Sequence, residues 1–199
     1  RLGKVSDPQV SPAGDKIMYG VSYTDIALNK GQRHLFLMNV DGTDNRQISH
    51  FAKSASNARW IDDENVAFIM GGQIHVWNIK NGGSPLKISS VEGGVEGFEL
   101  SPDGKQVMYV SQVKADIKPT DDYPDMEKST GRTITGLMYR HWDHFVETIP
   151  HTYIASFSVK GIGEGVDILD GAPYELPTLP FGGLEQLSWS PDSRFIAYS

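Results

Sequence analysis

The chain has 199 residues, 39% of them hydrophobic, and a formal net charge of −7 with no run of lysine or arginine. That charge makes nucleic acid and acidic membrane surfaces poor partners, and no apolar stretch approaches the ~20 residues of a membrane span. The lack of cysteine excludes disulfides and cysteine metal sites, while 21 glycines and 11 prolines spread along the chain suit a turn-rich β protein.

In chain order, one phrase recurs: an apolar strand end, a Ser-Pro turn and a second apolar strand. It stands at Val10-Ser11-Pro12-Ala13-Gly14-Asp15-Lys16-Ile17, at Leu100-Ser101-Pro102-Asp103-Gly104-Lys105-Gln106-Val107, and at Trp189-Ser190-Pro191-Asp192-Ser193-Arg194-Phe195-Ile196. A degenerate copy, Trp60 to Phe68, lies between the first two. Pro102 presets φ near −65° at the second position of a type I turn, Asp103 tolerates the third and Gly104 suits the fourth. Alternation on either side, as in Phe98 and Leu100 or Val107 and Tyr109, predicts a hairpin. A second hairpin follows in each unit. His34–Val40 meets Asp41-Gly42 and returns through Arg46–Ser49, and Gln73–Ile79 meets Asn81-Gly82-Gly83 and returns through Leu86–Ser89. Gly71-Gly72 joins Val66–Met70 to the next strand. Each unit therefore reads as a four-stranded antiparallel meander.

The copies are spaced 50, 40 and 89 residues apart, counting Val10 to Trp60, to Leu100, to Trp189. Propeller blades run ~40–50 residues, so the first two intervals are single blades. The third is either two blades or one blade carrying an insertion, and the insertion is favoured because Ala115–Thr148 shows little alternation and no Ser-Pro hairpin. The later strands of that blade are then expected at His151–Val159 and Val166–Leu169. The fold class is all-β, a partial β-propeller, with blades near 5–50, 55–90 and 95–170, the insertion at 115–148, and a fourth blade starting at 184–199. A β-sandwich does not repeat a hairpin phrase at this period. Propellers typically close with 4–8 blades, so further blades, and a further domain, are expected in a longer parent chain.

A long loop inside a compact blade is usually functional or disordered. The second half of this one, with Leu137, Met138, Tyr139, Trp142 and Phe145, is too apolar to be left in water. Leu137-Met138-Tyr139-Arg140-His141-Trp142-Asp143, following a Ser-Pro-Asp-Gly-Lys blade and preceding a strand such as His151–Phe157, resembles the propeller of the prolyl oligopeptidase family of serine peptidases, of acylaminoacyl-peptidase and dipeptidyl-peptidase V type. The resemblance covers essentially the whole chain. It implies an N-terminal propeller capping a C-terminal α/β-hydrolase domain whose catalytic serine sits in a Gly-x-Ser-x-Gly turn. That turn is absent: Gly20-Val21-Ser22-Tyr23-Thr24 lacks the second glycine. No catalytic residue is assigned here.

By the same resemblance this chain is the gate and size filter of a serine exopeptidase or oligopeptidase. Its implied partners are a peptide substrate and the hydrolase domain, without nucleic acid or a membrane span. No cofactor is implied, and the implied location is bacterial, periplasmic or secreted, with the cytoplasm as the alternative. Tyr139, Arg140, His141, Trp142 and Asp143 are the candidate substrate-binding residues. Asp125, Glu127 and Asp143 are the local carboxylates that could face a substrate ammonium, although no adjacent Glu pair of the kind some members use is present. Alternatively Tyr139 and Trp142 pin the loop to its blade, with Arg140 and Asp143 paired to each other. His141, His144 and His151 with Asp143 offer the elements of a metal site without a ligand pattern to support one. A TolB-like or WD-repeat-like propeller acting as a protein-binding scaffold is the alternative function. Trp60, Trp77 and Trp189 read as packing between blades.

Overall fold

Each Ser-Pro turn is built around its serine. The N–H groups of Lys16, Gln106 and Phe195 donate to the Oγ atoms of Ser11, Ser101 and Ser190 at 3.0, 2.9 and 2.9 Å. Each hydroxyl in turn donates to a carboxylate, that of Asp15, Asp103 or Asp192. The serine carbonyl accepts the N–H of Gly14, Gly104 or Ser193, which closes the turn. Those three residues have φ of 74°, 68° and 60°. The left-handed region explains the glycine in two of the copies.

The computed structural model describes residues 2–114, 123–129, 146, 148–179 and 181–199. The first sheet runs β1 (Lys4–Val10), β2 (Lys16–Asp25), β3 (Lys30–Asn39) and β4 (Arg46–Gln47). The second runs β5 (Ala55–Trp60), β6 (Asn65–Met70), β7 (Gln73–Asn78) and β8 (Leu86–Lys87). In the third, β9 (Gly97–Leu100), β10 (Gln106–Lys114) and β11 (Thr148–Ser158) are flanked by β12 (Gly161–Ile162) and β13 (Val166–Asp167). A last hairpin joins β14 (Leu187–Trp189) to β15 (Ile196–Tyr198). All pairings are antiparallel. Val10, Trp60, Leu100 and Trp189 occupy one equivalent position, each ending a first strand opposite Ile17, Val66, Val107 and Ile196.

The outer strands are shorter than their sequences suggest. Ser49 and Ser89 leave the ladder because their side chains replace it, accepting the N–H of Leu35 and of Ile74 at 2.7 and 2.8 Å. The third sheet departs in the opposite sense. β11 begins at Thr148 rather than His151, since Thr148, Ile149 and Pro150 pair with Lys114, Val113 and Gln112. β13 stops at Asp167 rather than Leu169 because the Leu169 N–H turns to the Asp167 carboxylate.

Sheets stack face to face through apolar clusters. Met18, Leu35 and Leu37 of the first sheet meet Val66, Phe68 and Trp77 of the second. The opposite face of the second sheet, with Ala67, Ile69, Ile74 and Val76, meets Phe98, Val107, Tyr109 and Phe157 of the third. A sheet covered on both faces needs apolar residues at every position, which accounts for the unbroken run Val66–Ile69. Met108 and Val110 then meet Leu187 of the last hairpin.

Polar ties repeat at these interfaces. The indole N–H groups of Trp60 and Trp189 donate to the carbonyls of Gln9 and Glu99, one residue before the equivalent position in the preceding sheet. The turn N–H groups of Ala13 and Asp103 donate to the side chains of Asp63 and Ser193 in the following sheet. Between the second and third sheets the Asn57 amide holds both backbone groups of Phe98. There too the Arg59 guanidinium donates to Glu99 at 2.5 and 2.7 Å, and on its other side to Asp7 at 2.9 Å. Burial pulls the Arg59 pKa down, but the two carboxylates more than offset this and the net direction is upward.

Arg59→Met strands two part-buried carboxylates and is expected to cost about 2–4 kcal/mol, the lower end reflecting their partial exposure. A denaturant double-mutant cycle with Glu99→Gln should show clear coupling, and additive effects would remove the ion pair from the account. The turn aspartates make a second test. The hydrogen bond from Lys16, then that from Ser11, lowers the Asp15 pKa. The Ser101 and Ser190 hydroxyls are the leading causes of the lowered values at Asp103 and Asp192. With folded-state values below unfolded ones, the unfolded chain binds more protons as pH falls, so this stability is present above pH ~4 and lost beneath it. Melting temperature should fall in that window, less steeply in Asp103→Asn.

Candidate functional site

The ladder between β10 and β11 ends at the Lys114–Thr148 pair, so Thr148, counted above with the insertion, belongs to β11. Tyr139, Arg140, His141, Trp142 and Asp143 lie outside the described residues. Asp125 and Glu127 are within them, exposed on successive turns closed by Tyr123–Met126 and Met126–Ser129 hydrogen bonds.

At the root of the insertion a cavity of about 730 Å3 opens between β11 and the segment after β13. Its apolar wall includes Val113, Val146 and Ile149, and its polar wall His151, Tyr153, Asp167, Asp170 and Glu175 with Lys114. Period-2 alternation on β11 puts His151 and Tyr153 on one face, and the Tyr153–Asp167 pairing brings the carboxylate to them. The His151 Nδ1 atom lies 2.8 Å from Asp167 Oδ2, which makes it the proton-bearing nitrogen toward an ionised carboxylate. The His151 ring is buried, and its Nε2 atom is buried without a hydrogen-bond partner. Asp167 Oδ1 also accepts the Leu169 N–H.

Tyr153 stacks on Tyr109, with centroids 5.2 Å apart and planes 9° from parallel. Burial, then the negative charge of Asp167, raises both phenol pKa values, so both stay protonated donors near neutral pH. The wall behind them is fixed by backbone. Thr152 Oγ1 donates to the Leu176 carbonyl, and the Leu176 N–H donates to the Pro150 carbonyl. Gly165 passes so close to Tyr109 that a Cβ there would stand 1.9 Å from the phenol oxygen.

The arrangement sets a carboxylate-oriented imidazole, further carboxylates and protonated phenols around a half-apolar cavity. His151, considered above only as a metal ligand, instead binds Asp167, and among the described residues no group of three metal-binding side chains occurs. Asp167, Tyr109 and Tyr153 were not singled out from sequence. The available signal was the i, i+2 pair His151 and Tyr153 on a strand, which becomes informative only once Asp167 is known to lie opposite.

No family model matches the chain. It is 42% identical over its whole length to dipeptidyl-peptidase 5 of Porphyromonas gingivalis, of which it covers 30%. The chain thus spans about a third of the length of the curated relatives it matches. Among solved structures, Pyrococcus horikoshii acylaminoacyl peptidase has a TM-score of 0.59 at 15% identity, over 83% of this chain and 25% of that one. TolB from Acinetobacter baumannii has a TM-score of 0.51 at 15% identity, over 95% of this chain and 36% of that one. At such identities both speak to the fold.

Gly165→Ala should destabilise the third sheet by about 1–3 kcal/mol, since the Tyr109 ring that must yield is buried and stacked on Tyr153. Combining it with Tyr109→Phe, which removes the nearest atom, should recover part of that loss. No recovery would mean that the two are not in contact.

Proposed function

The chain is a propeller segment of the prolyl oligopeptidase family, of the dipeptidyl-peptidase 5 type, and on that premise we propose that it forms the substrate-filtering wall of a serine peptidase that cleaves short peptides. The observation that carries this reading is the 42% identity sustained over the whole chain. The chemistry of bond cleavage belongs to a separate α/β-hydrolase domain of the parent protein. It needs a nucleophile, a base and oxyanion donors within hydrogen-bond reach, and this segment has no Gly-x-Ser-x-Gly turn to supply the nucleophile.

Stacked sheets with apolar interfaces suit a wall that holds its shape while small peptides pass and folded proteins do not. The insertion, with Tyr139, Arg140, His141, Trp142 and Asp143, selects among those peptides, and the cavity at its root is part of the same surface. A periplasmic or secreted bacterial location belongs to the same proposal and is checked by fractionating cells that express the parent.

The parent should hydrolyse dipeptidyl or acyl-aminoacyl amides near neutral pH, and the 199-residue segment should hydrolyse none. In the parent, Arg140→Ala and Asp143→Ala should raise KM by about 3–10-fold, or change the preference between free and acylated peptides, while kcat changes less. Steady-state kinetics on both substrate types decide the matter. Unchanged constants would make the insertion purely structural, and turnover by the segment would place the chemistry here.

A further inference from the structure

We propose that the turn at Asp170-Gly171 makes this pair a spontaneous modification site, where the aspartate of the folded protein converts through a succinimide to isoaspartate. The inference goes beyond the peptidase reading and stands without it.

The sequence holds three Asp-Gly pairs, Asp41-Gly42, Asp103-Gly104 and Asp170-Gly171. An aspartate before glycine can react with its own backbone, because the next nitrogen lies within reach of its carboxyl and no side chain shields it. In the folded chain the outcome depends on where the pair sits in its turn. In the first two pairs the aspartate is third and the glycine fourth, so the glycine N–H is the donor that closes the turn. Gly42 donates to the Asn39 carbonyl at 2.9 Å and Gly104 to that of Ser101 at 2.8 Å. Their carboxylates are held as well. Asp41 accepts the Thr43 N–H and hydroxyl at 2.9 and 2.7 Å. Asp103 accepts the Ser101 hydroxyl and the Lys105 N–H at 2.7 and 3.1 Å. Asn81-Gly82 would lose ammonia instead of water, and there too the glycine N–H is occupied, by the Asn78 carbonyl at 3.1 Å.

The third Asp-Gly pair is displaced by one position. Its turn is closed by the Ala172 N–H on the Leu169 carbonyl at 2.7 Å, so Asp170 is second and Gly171 third. The φ of 75° at Gly171 fits the third position of a type II turn, whose N–H takes no part in closure. Among the described residues neither the Gly171 N–H nor the Asp170 carboxylate has a hydrogen-bond partner. Both residues are exposed on the wall of the cavity at the root of the insertion, where water reaches them.

The Gly171 nitrogen attacks Cγ of the protonated Asp170 carboxyl. The N–Cγ bond forms, the Cγ–OH bond breaks, and the hydroxyl leaves as water with the proton of the nitrogen. Water then adds to either carbonyl of the ring. Opening at Cγ restores aspartate. Opening at the backbone carbonyl breaks its bond to nitrogen and leaves the chain running through Cγ, as isoaspartate. The net change is an isomerisation that needs no oxidant or reductant. The main chain gains one methylene in the cavity wall, and the carboxylate moves to the former backbone carbonyl carbon.

The test uses the full-length parent, held near neutral pH in native buffer and, in parallel, in guanidinium chloride, then digested at mildly acidic pH. Electron-transfer fragmentation distinguishes the two isomers and measures isoaspartate at Asp41, Asp103 and Asp170. In the native sample Asp170 should carry about tenfold more than either of the others, which must first release a backbone hydrogen bond and a held carboxylate. In denaturant the three should converge. Asp170→Glu, an exposed substitution that forces a slower six-membered ring, should remove the isomer there and leave Asp41 and Asp103 unchanged. Native isoaspartate at Asp170 no higher than at the other two overturns the proposal. An excess at Asp170 that persists in denaturant also overturns it, because the neighbouring sequence rather than the turn would then be the cause.

Discussion

One guanidinium holds three sheets in register. Arg59 stands one residue before the end of β5, at the position that Gln9, Glu99 and Ser188 occupy on the other first strands. From there it reaches Glu99 in the sheet after it and Asp7 in the sheet before it. The reach backward depends on a bulge. Register shifts between Ser6 and Gln9 and between Ser56 and Arg59, with Asp7 and Asn57 at φ of 56° and 49°. Such a bulge re-aims a side chain without ending the strand. In the first sheet it brings the Asp7 carboxylate to Arg59, and in the second it lets the Asn57 amide clasp the Phe98 backbone.

The apolar clusters supply most of the attraction between sheets, but they are non-directional. Arg59, Asn57 and the two indole donors convert face-to-face stacking into a specified alignment of first strands. That alignment sets where β10 and β11 project, and hence where the cavity beside them sits. A recognition surface on a loop is only as well placed as the scaffold beneath it. The stack of buried Tyr109 on half-buried Tyr153 and the His151–Asp167 pair fix the ends of β10 and β11 to that scaffold.

The repeat was legible because its turn chemistry is local. Ser-Pro-Asp-Gly, Asp-Gly and Gly-Gly specify hairpins within a few residues, and the four-stranded units follow. The role of the turn serine was not read, since a hydroxyl that accepts an N–H five residues on leaves no periodic signature. The same limit hid the early ends of β4 and β8, where Ser49 and Ser89 substitute side chain for ladder. The Asp7–Arg59–Glu99 fork spans separations of 52 and 40 residues, and His151 meets Asp167 across a register that alternation cannot count. Contacts of that kind are set by packing rather than by local pattern. The insertion drew attention through its composition, while its candidate residues Tyr139 to Asp143 fall outside the described ones.

The most direct test of the account is the dependence of hydrolysis on peptide length in the full-length parent. Peptides sharing one cleavable terminus and running from two to about forty residues would be compared by kcat/KM. A wall of fastened blades predicts a steep fall once the chain exceeds what the enclosed space admits. Hydrolysis that stays level from the shortest peptide to the longest would mean that the blades filter nothing.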